Sequence, residues 1–435
     1  MTTPSQKATA SSRSAARGPG TNRARRRSPR ARDAAASGYR AVFAVREFRA
    51  IFAAHLLSVL GGVFAEVALA VLVFRHTGSA LLTALIFALG FMPYALGGVL
   101  LSGLADRLPA RRLLVICDLL SAACMAMMAL PWTPIAVLFV LRFAVAIIAP
   151  LFTGTRAASL ADILHDDLYV LGRSLVRIVS QTSQIIGYGL GGLALVWLSP
   201  RVALSVAIGT FLCSALLLRL GTRDRPARSA VGGATVRQSL ASSRLLLGER
   251  RIRALLLMWW IPPMFFVVAE GAAAPYANAA GAGPAGFGLF LAAMPAGTVV
   301  GEVLAGTLLR PVARDRIVLP LVAVSLLPMA AFAVHPPLPA GVALMLGTGL
   351  CAAYTLGMDK WFATAVPEEM RGRAMSLLGA GVMTLQGLGM AAGGAVAEAV
   401  PAYAVICGAG VIGTLSVLGV LRSVHRSRAH SPRST

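Results

Sequence analysis

Residues 103–112 read Gly103-Leu-Ala-Asp-Arg-Leu-Pro-Ala-Arg-Arg112. The stretch places the carboxylate of Asp106 beside the guanidinium groups of Arg107, Arg111 and Arg112. Runs almost free of charge flank it, 81–104 before and 113–130 after. About 20 apolar residues are needed to cross a hydrocarbon core of about 30 Å. A charged hairpin between two such runs is therefore expected to be a short loop joining two membrane-spanning helices.

Composition agrees with that reading. The 435 residues are 57% hydrophobic and 13% charged, whereas a soluble domain averages about 25% charged residues. The chain has too little polar surface to cover a water-facing globule. The formal net charge of +23 would suit a nucleic-acid binder, but the basic residues fall in short clusters between apolar spans, and no nucleic acid is expected as a partner. Lys7 and Lys360 are the only lysines among 40 basic residues, an Arg-rich usage that fits a high-GC, bacterial genome.

The same ruler predicts twelve spans, at about 51–74, 80–104, 113–131, 134–154, 174–197, 201–219, 254–275, 285–308, 317–334, 339–358, 374–398 and 402–420. The expected fold is an all-α polytopic membrane protein with twelve transmembrane helices in two six-helix halves. Residues 1–45 are Ser-, Ala-, Pro- and Arg-rich and should form a disordered basic tail; 46–220 make the N-terminal half; 221–252 are a linker; 253–421 make the C-terminal half; 422–435 are a second basic tail. Within the linker, Val236 to Gly248 has helical apolar spacing with basic residues opposite, the pattern of an amphipathic helix lying on a membrane surface.

An even number of spans returns the chain to the side on which it began. Loops on that terminal side hold Arg107, Arg111 and Arg112; Arg156, Arg173 and Arg177; a cluster between Arg219 and Arg253; Arg310, Arg314 and Arg316; and Lys360, Arg371 and Arg373. The opposite side has only Arg75 and Arg201. The positive-inside rule then puts both termini in the cytoplasm of a multi-pass cell-membrane protein, with the basic tails near an anionic inner leaflet. Trp132, Trp197, Tyr276 and Tyr403 fall at the opposite ends of spans, where an aromatic belt is expected.

Twelve spans in two halves with a connecting linker resemble the major facilitator superfamily, and so does the opening stretch. That family's loop between helices two and three is written G-x-x-x-D-R-x-G-R-R; Asp106, Arg107 and Arg111 match its acidic and basic positions, while Ser102, Pro109 and Ala110 depart from it. The resemblance implies a conformational latch in which Asp106 lies near the start of helix eleven, where the helix dipole favours an anion, and Arg107, Arg111 and Arg112 tie to neighbouring loops. Gly187-Tyr-Gly-Leu-Gly-Gly192 in the fifth span, with Gly187, Gly189, Gly191 and Gly192, is similar to the glycine motif of the antiporter branch, with Tyr188 in place of its proline. Val366-Pro-Glu-Glu-Met-Arg-Gly-Arg-Ala374 resembles the loop into helix eleven of the drug, macrolide and siderophore exporters.

Ionisable residues inside spans are costly and mark functional sites by default. Six fall there: Glu66, Asp118, Arg142, Glu270, Glu302 and Glu398. The resemblance places helices one, four and seven around a central cavity, which selects Glu66, Arg142 and Glu270 as candidates for proton coupling. Movement of Arg142 toward or away from a carboxylate would alter that group's hold on a proton. Asp118 and Glu302 are expected to pair with loop arginines, and Glu398 to be an interfacial residue.

The function expected is secondary active export of a hydrophobic or amphipathic small molecule by a monomer, in exchange for protons and by alternating access. Proton-coupled import of a metabolite is the alternative, and a non-transporting scaffold or sensor a third. Gly-Lys-Ser/Thr occurs nowhere, so the chain has no P-loop. Five cysteines without metal-like spacing, six scattered histidines and no nucleophile elbow leave no expected cofactor, metal or catalytic residue.

Overall fold

The structure is a computed structural model that describes residues 40–94, 96–98, 100–101, 108–164, 166–225, 244–309, 311–367 and 370–429. All regular structure in those residues is helical. The first half consists of α1 (Arg46–Thr77), α2 (Ala80–Phe91), α3 (Ala110–Ala129), α4 (Ile135–Ile163), α5 (Asp166–Ala194) and α6 (Pro200–Gly221). The second consists of α7 (Arg250–Gly271), α8 (Gly283–Leu308), α9 (Pro311–Val324), α10 (Leu338–Cys351), α11 (Arg371–Val396) and α12 (Ala402–Ala429). Two spans are broken: α9 continues through Leu327–Ala330 and a 3-10 turn, and α10 through a 3-10 turn into Thr355–Ala365.

Eleven helical segments among the described residues are long and apolar enough to cross a membrane. The exception is α5. Its Arg173, Ser174, Arg177, Ser180, Gln181, Thr182, Ser183 and Gln184 make it too polar to stand in lipid alone. It packs instead against α1 and, across the halves, against α8. A helix of that length with a polar stripe belongs where protein, not lipid, surrounds it.

Within the first half α1 packs on α5 and α6, and α3 on α4 and α6; within the second, α7 packs on α11 and α12, and α8 on α10. The halves meet through α2 with α11 and α5 with α8. These two seams are equivalent: exchanging the halves turns helix two into helix eight and helix five into helix eleven. Close approach carries the α5–α8 seam. A Cβ at Gly192 would lie 2.5 Å from the Pro284 carbonyl oxygen and 2.6 Å from Gly288 Cα, so the two backbones touch where only glycine fits.

Several expectations change. Within the tail expected to be disordered to residue 45, residues 40–44 are helical, Val42 is fully buried, and the Phe43 ring meets Phe48 and Phe52 edge-on at 5.4 and 5.1 Å. Those two apolar residues give the segment something to bury. Residues 1–39, Asp106, Arg107, Arg310, 368–369, 430–435 and most of the expected amphipathic helix lie outside the described residues; its end, 244–248, is helical. Trp132 and Trp197 are 75% and 74% exposed, as belt residues should be. Tyr276 is not one of them. It lies on the short helix Ala273–Ala279, buried against Phe290 and Phe332, with its hydroxyl donating to the Pro336 carbonyl at 2.7 Å.

Candidate functional site

Helix α1 carries Glu66 and α4 carries Arg142 to a common point inside the first half. Arg142 Nη2 donates to Glu66 Oε1, and Arg142 Nε donates to the Ile86 carbonyl of α2 at 3.0 Å. Both side chains are largely enclosed. Gly90, one turn beyond Ile86, makes the room: a Cβ there would overlap Arg142 Nη2 and lie 3.1 Å from Glu66 Oε1. The α2 backbone thus forms the third wall of the ion pair, supplying an acceptor at Ile86 and a hollow at Gly90. Sequence reading missed both, because neither residue carries a charge.

Glu270 sits near the C-terminal end of α7 at 8% exposure. No hydrogen bond or ion pair engages its carboxyl among the described residues. It is an electrostatic neighbour of Glu66, and the Tyr188 hydroxyl of α5 is a neighbour of Glu66, Glu270 and Arg142 together. Of the three residues singled out from sequence, Glu66 and Arg142 are in direct contact, and Glu270 lies within electrostatic range of Glu66. Gln184, one turn earlier on α5, reaches the Tyr188 hydroxyl at 3.5 Å. Phe87 of α2 lies 6.4 Å from the Tyr188 ring and 6.3 Å from the Phe287 ring of α8, so three aromatic rings span the join between the halves. Across the halves lies a cleft of about 260 Å³ on the side opposite the termini, lined by Val71, Phe74 and Arg75 of one half and by Ala277, Pro284 and Phe287 of the other.

The α5 glycines serve packing. Gly187 faces Val63 and Gly191 faces Phe64 and Val67, all of α1, while Gly192 meets α8; a Cβ at Gly189 would lie 3.9 Å from Ala292 Cβ of α8. In the opening stretch, Arg111 donates to Asp224 Oδ2 at 2.9 Å and to the Thr222 carbonyl at 3.5 Å, and Arg112 approaches Asp224 at 3.7 Å. The arginines thus hold the chain just after α6. Nearby, Arg225 forms an ion pair with Glu47 at 2.7 Å.

Two charged residues differ from expectation, and a third makes a contact that was not expected. Asp118 was expected on a loop arginine and instead lies between two hydroxyls, Ser58 of α1 and Ser214 of α6. Glu302 accepts from Thr355 Oγ1 at 3.3 Å. Glu398 is exposed just beyond the end of α11, where an interfacial residue belongs, and it also bridges the halves: its Oε1 accepts from Ser79 Oγ at 2.5 Å and from the Leu81 amide at 2.8 Å. The common reason is reach. Asp118 and Glu302 lie too deep for a loop arginine, and Glu398 stands over the open N-terminus of α2. Among the described residues no group of three or more His, Cys, Asp or Glu could hold a metal ion.

Twelve helical spans in two halves, joined by a pair of equivalent seams and enclosing a half-buried carboxylate–guanidinium pair, define a polytopic membrane transporter. The chain belongs to the Major Facilitator Superfamily, whose family model matches residues 51–271. It is a transporter and not an enzyme. A multidrug efflux pump, Tap, of Mycolicibacterium fortuitum is 26% identical over 350 residues, covering 77% of this chain and 85% of that one. Among solved structures, the peptide-transporter-family member PepTSo superimposes with a TM-score of 0.67 at 11% identity, covering 89% of this chain and 99% of that one. The nucleoside transporter NupG does so with a TM-score of 0.64 at 15% identity, covering 86% and 99%. At these identities the two structures bear on the fold alone.

Proposed function

We propose that the protein exports a hydrophobic or amphipathic small molecule in exchange for protons, with Glu66, Arg142 and Glu270 as the coupling site. The carrying observation is the enclosed Glu66–Arg142 pair with an unpaired Glu270 in its electrostatic range. A proton and Arg142 compete for the same carboxylate: protonating Glu66 releases the guanidinium, and returning it expels the proton. Glu270, from the other half, gives the released guanidinium a second anion, so proton binding is tied to the relation between the halves. The efflux relative supports the outward direction and the hydrophobic or amphipathic cargo. The terminal side, which carries nearly all the loop arginines, is the cytoplasmic one. The chain acts as a monomer, its basic segments lie against anionic lipid, and the opening stretch acts as the latch on that face.

The test is efflux of a panel of lipophilic cations and neutral dyes from proteoliposomes, with and without a pH gradient, for the wild type, Glu66→Gln and Glu270→Gln. Gradient-driven efflux should be lost in Glu66→Gln and reduced in Glu270→Gln, while substrate exchange without a gradient survives. Efflux that ignores the gradient and both substitutions would end the reading.

A further inference from the structure

Helices α1, α3 and α6 meet around a second buried carboxyl that the coupling site does not use. Asp118 of α3 is 1% exposed. Its Oδ1 lies 3.0 Å from Ser58 Oγ of α1, its Oδ2 lies 2.5 Å from Ser214 Oγ of α6, and the two hydroxyl oxygens are 2.8 Å apart. The three groups form a triangle with hydrogen-bond contact along every edge.

Counting protons decides its state. Each serine has one hydroxyl proton, and an ionised carboxylate has none. Two protons serve two edges, so an ionised Asp118 leaves one edge as two oxygens in contact with nothing between them. A neutral carboxyl supplies the third proton and closes the ring in one direction: Asp118 Oδ1 donates to Ser58, Ser58 to Ser214, and Ser214 to Asp118 Oδ2. Ionisation would also place a charge in the interior with no cation to balance it.

The titratable groups around the ring do not supply one. On α3 the neighbour is Cys117. On α1 it is His55, whose Nε2 is engaged with Ser180 of α5 at 2.9 Å. Helix α6 brings Cys213 and Arg219, and α4 brings Arg156, whose guanidinium lies over the Phe152 ring, and Arg142, which is committed to Glu66. The two serines are the polar neighbours of the Asp118 carboxyl.

We propose that Asp118 is a proton-binding site separate from the Glu66–Arg142–Glu270 site: its bound proton completes a three-membered hydrogen-bond ring that ties α3 and α6 to α1. The ring is intact while the proton is bound and opens when alkaline medium removes it. Because Ser58 and Glu66 are on one helix, the ring anchors the helix that bears the coupling carboxylate without sharing its proton.

Asp118 is the only buried aspartate among the residues whose side chains are described, and loss of a labelled band in Asp118→Asn assigns that band to it. The experiment is infrared spectroscopy of the full chain in lipid nanodiscs with carboxyl-13C aspartate, across a pH titration. Expected at neutral pH is a label-sensitive protonated-carboxyl band that disappears in Asp118→Asn, shifts in Ser214→Ala and gives way to a carboxylate band at high pH. Asp118→Asn should keep the neutral-pH melting temperature, because a carboxamide donates to Ser58 and accepts from Ser214 as the neutral acid does. The wild type and Ser214→Ala decide the matter even where Asp118→Asn does not fold. A wild type with no such band at neutral pH, or a band unmoved by Ser214→Ala, would overturn the proposal.

Discussion

Gly90 shows how much of the site depends on a residue with no side chain. The Arg142 guanidinium occupies the space a methyl group would take, and its Nε is held by the Ile86 carbonyl a turn away. Overpacking a filled interior typically costs about 1–3 kcal/mol. Gly90→Ala should therefore destabilise the protein by about that much and weaken gradient-driven transport while leaving membrane insertion intact. The mechanism is specific, since the clash is with one Arg142 nitrogen that lysine lacks. In an Arg142→Lys background the added methyl should cost clearly less, a coupling that melting temperatures of the four proteins would measure. An equal cost in both backgrounds would show that Gly90 acts through something other than the ion pair. The sequence exposed the charged partners, because ions inside a span stand out against apolar neighbours. It could not expose their cradle, since a glycine and a backbone carbonyl look alike wherever they occur.

At the scale of the element, the start of α2 is shared between the halves. Ser79 caps it from within, accepting from the Leu82 amide at 3.0 Å, while Glu398 caps it from the other half through the Leu81 amide and the Ser79 hydroxyl. A helix N-terminus leaves its first amides without partners and favours an anion, so this contact satisfies both needs at once. The Ser79 hydroxyl, and then the Leu81 amide, hold the Glu398 carboxyl below its ordinary range. The sign follows. A carboxylate whose proton affinity falls on pairing strengthens the contact above its unpaired titration range, and that contribution is lost as the pH drops through the lowered value. Acidifying the side opposite the termini should therefore loosen α2 from α11. Distances between spin labels at the ends of these helices would report it, widening toward acid in the wild type and staying flat in Glu398→Gln. Identical acid responses in both proteins would remove Glu398 from the account. Its role was hidden in the sequence, where 319 residues separate it from Ser79. The same is true of α5, whose span was legible by length although its polar stripe makes sense only once α1 and α8 surround it.

At the scale of the whole molecule, the fold was legible because a bilayer imposes one length on every crossing, and that length recurs along the chain. How the halves meet was not, since span length says nothing about which faces touch. They meet through Gly192 against α8, through the Phe87, Tyr188 and Phe287 rings, and through Glu398 above α2. The proposed alternating access requires the halves to part on each side in turn, and on that reading a cycle breaks the Glu398 contact and re-forms it. A reversible tether tests this directly. In a background without the five native cysteines, Ser79→Cys and Glu398→Cys would be joined by a short, reducible bifunctional reagent. The untethered double variant should transport, the tethered protein should bind substrate but not turn over, and reduction should restore turnover. Uninhibited turnover with the tether in place would mean that α2 and α11 stay together throughout the cycle, and the parting of the halves would then have to occur elsewhere than at this seam.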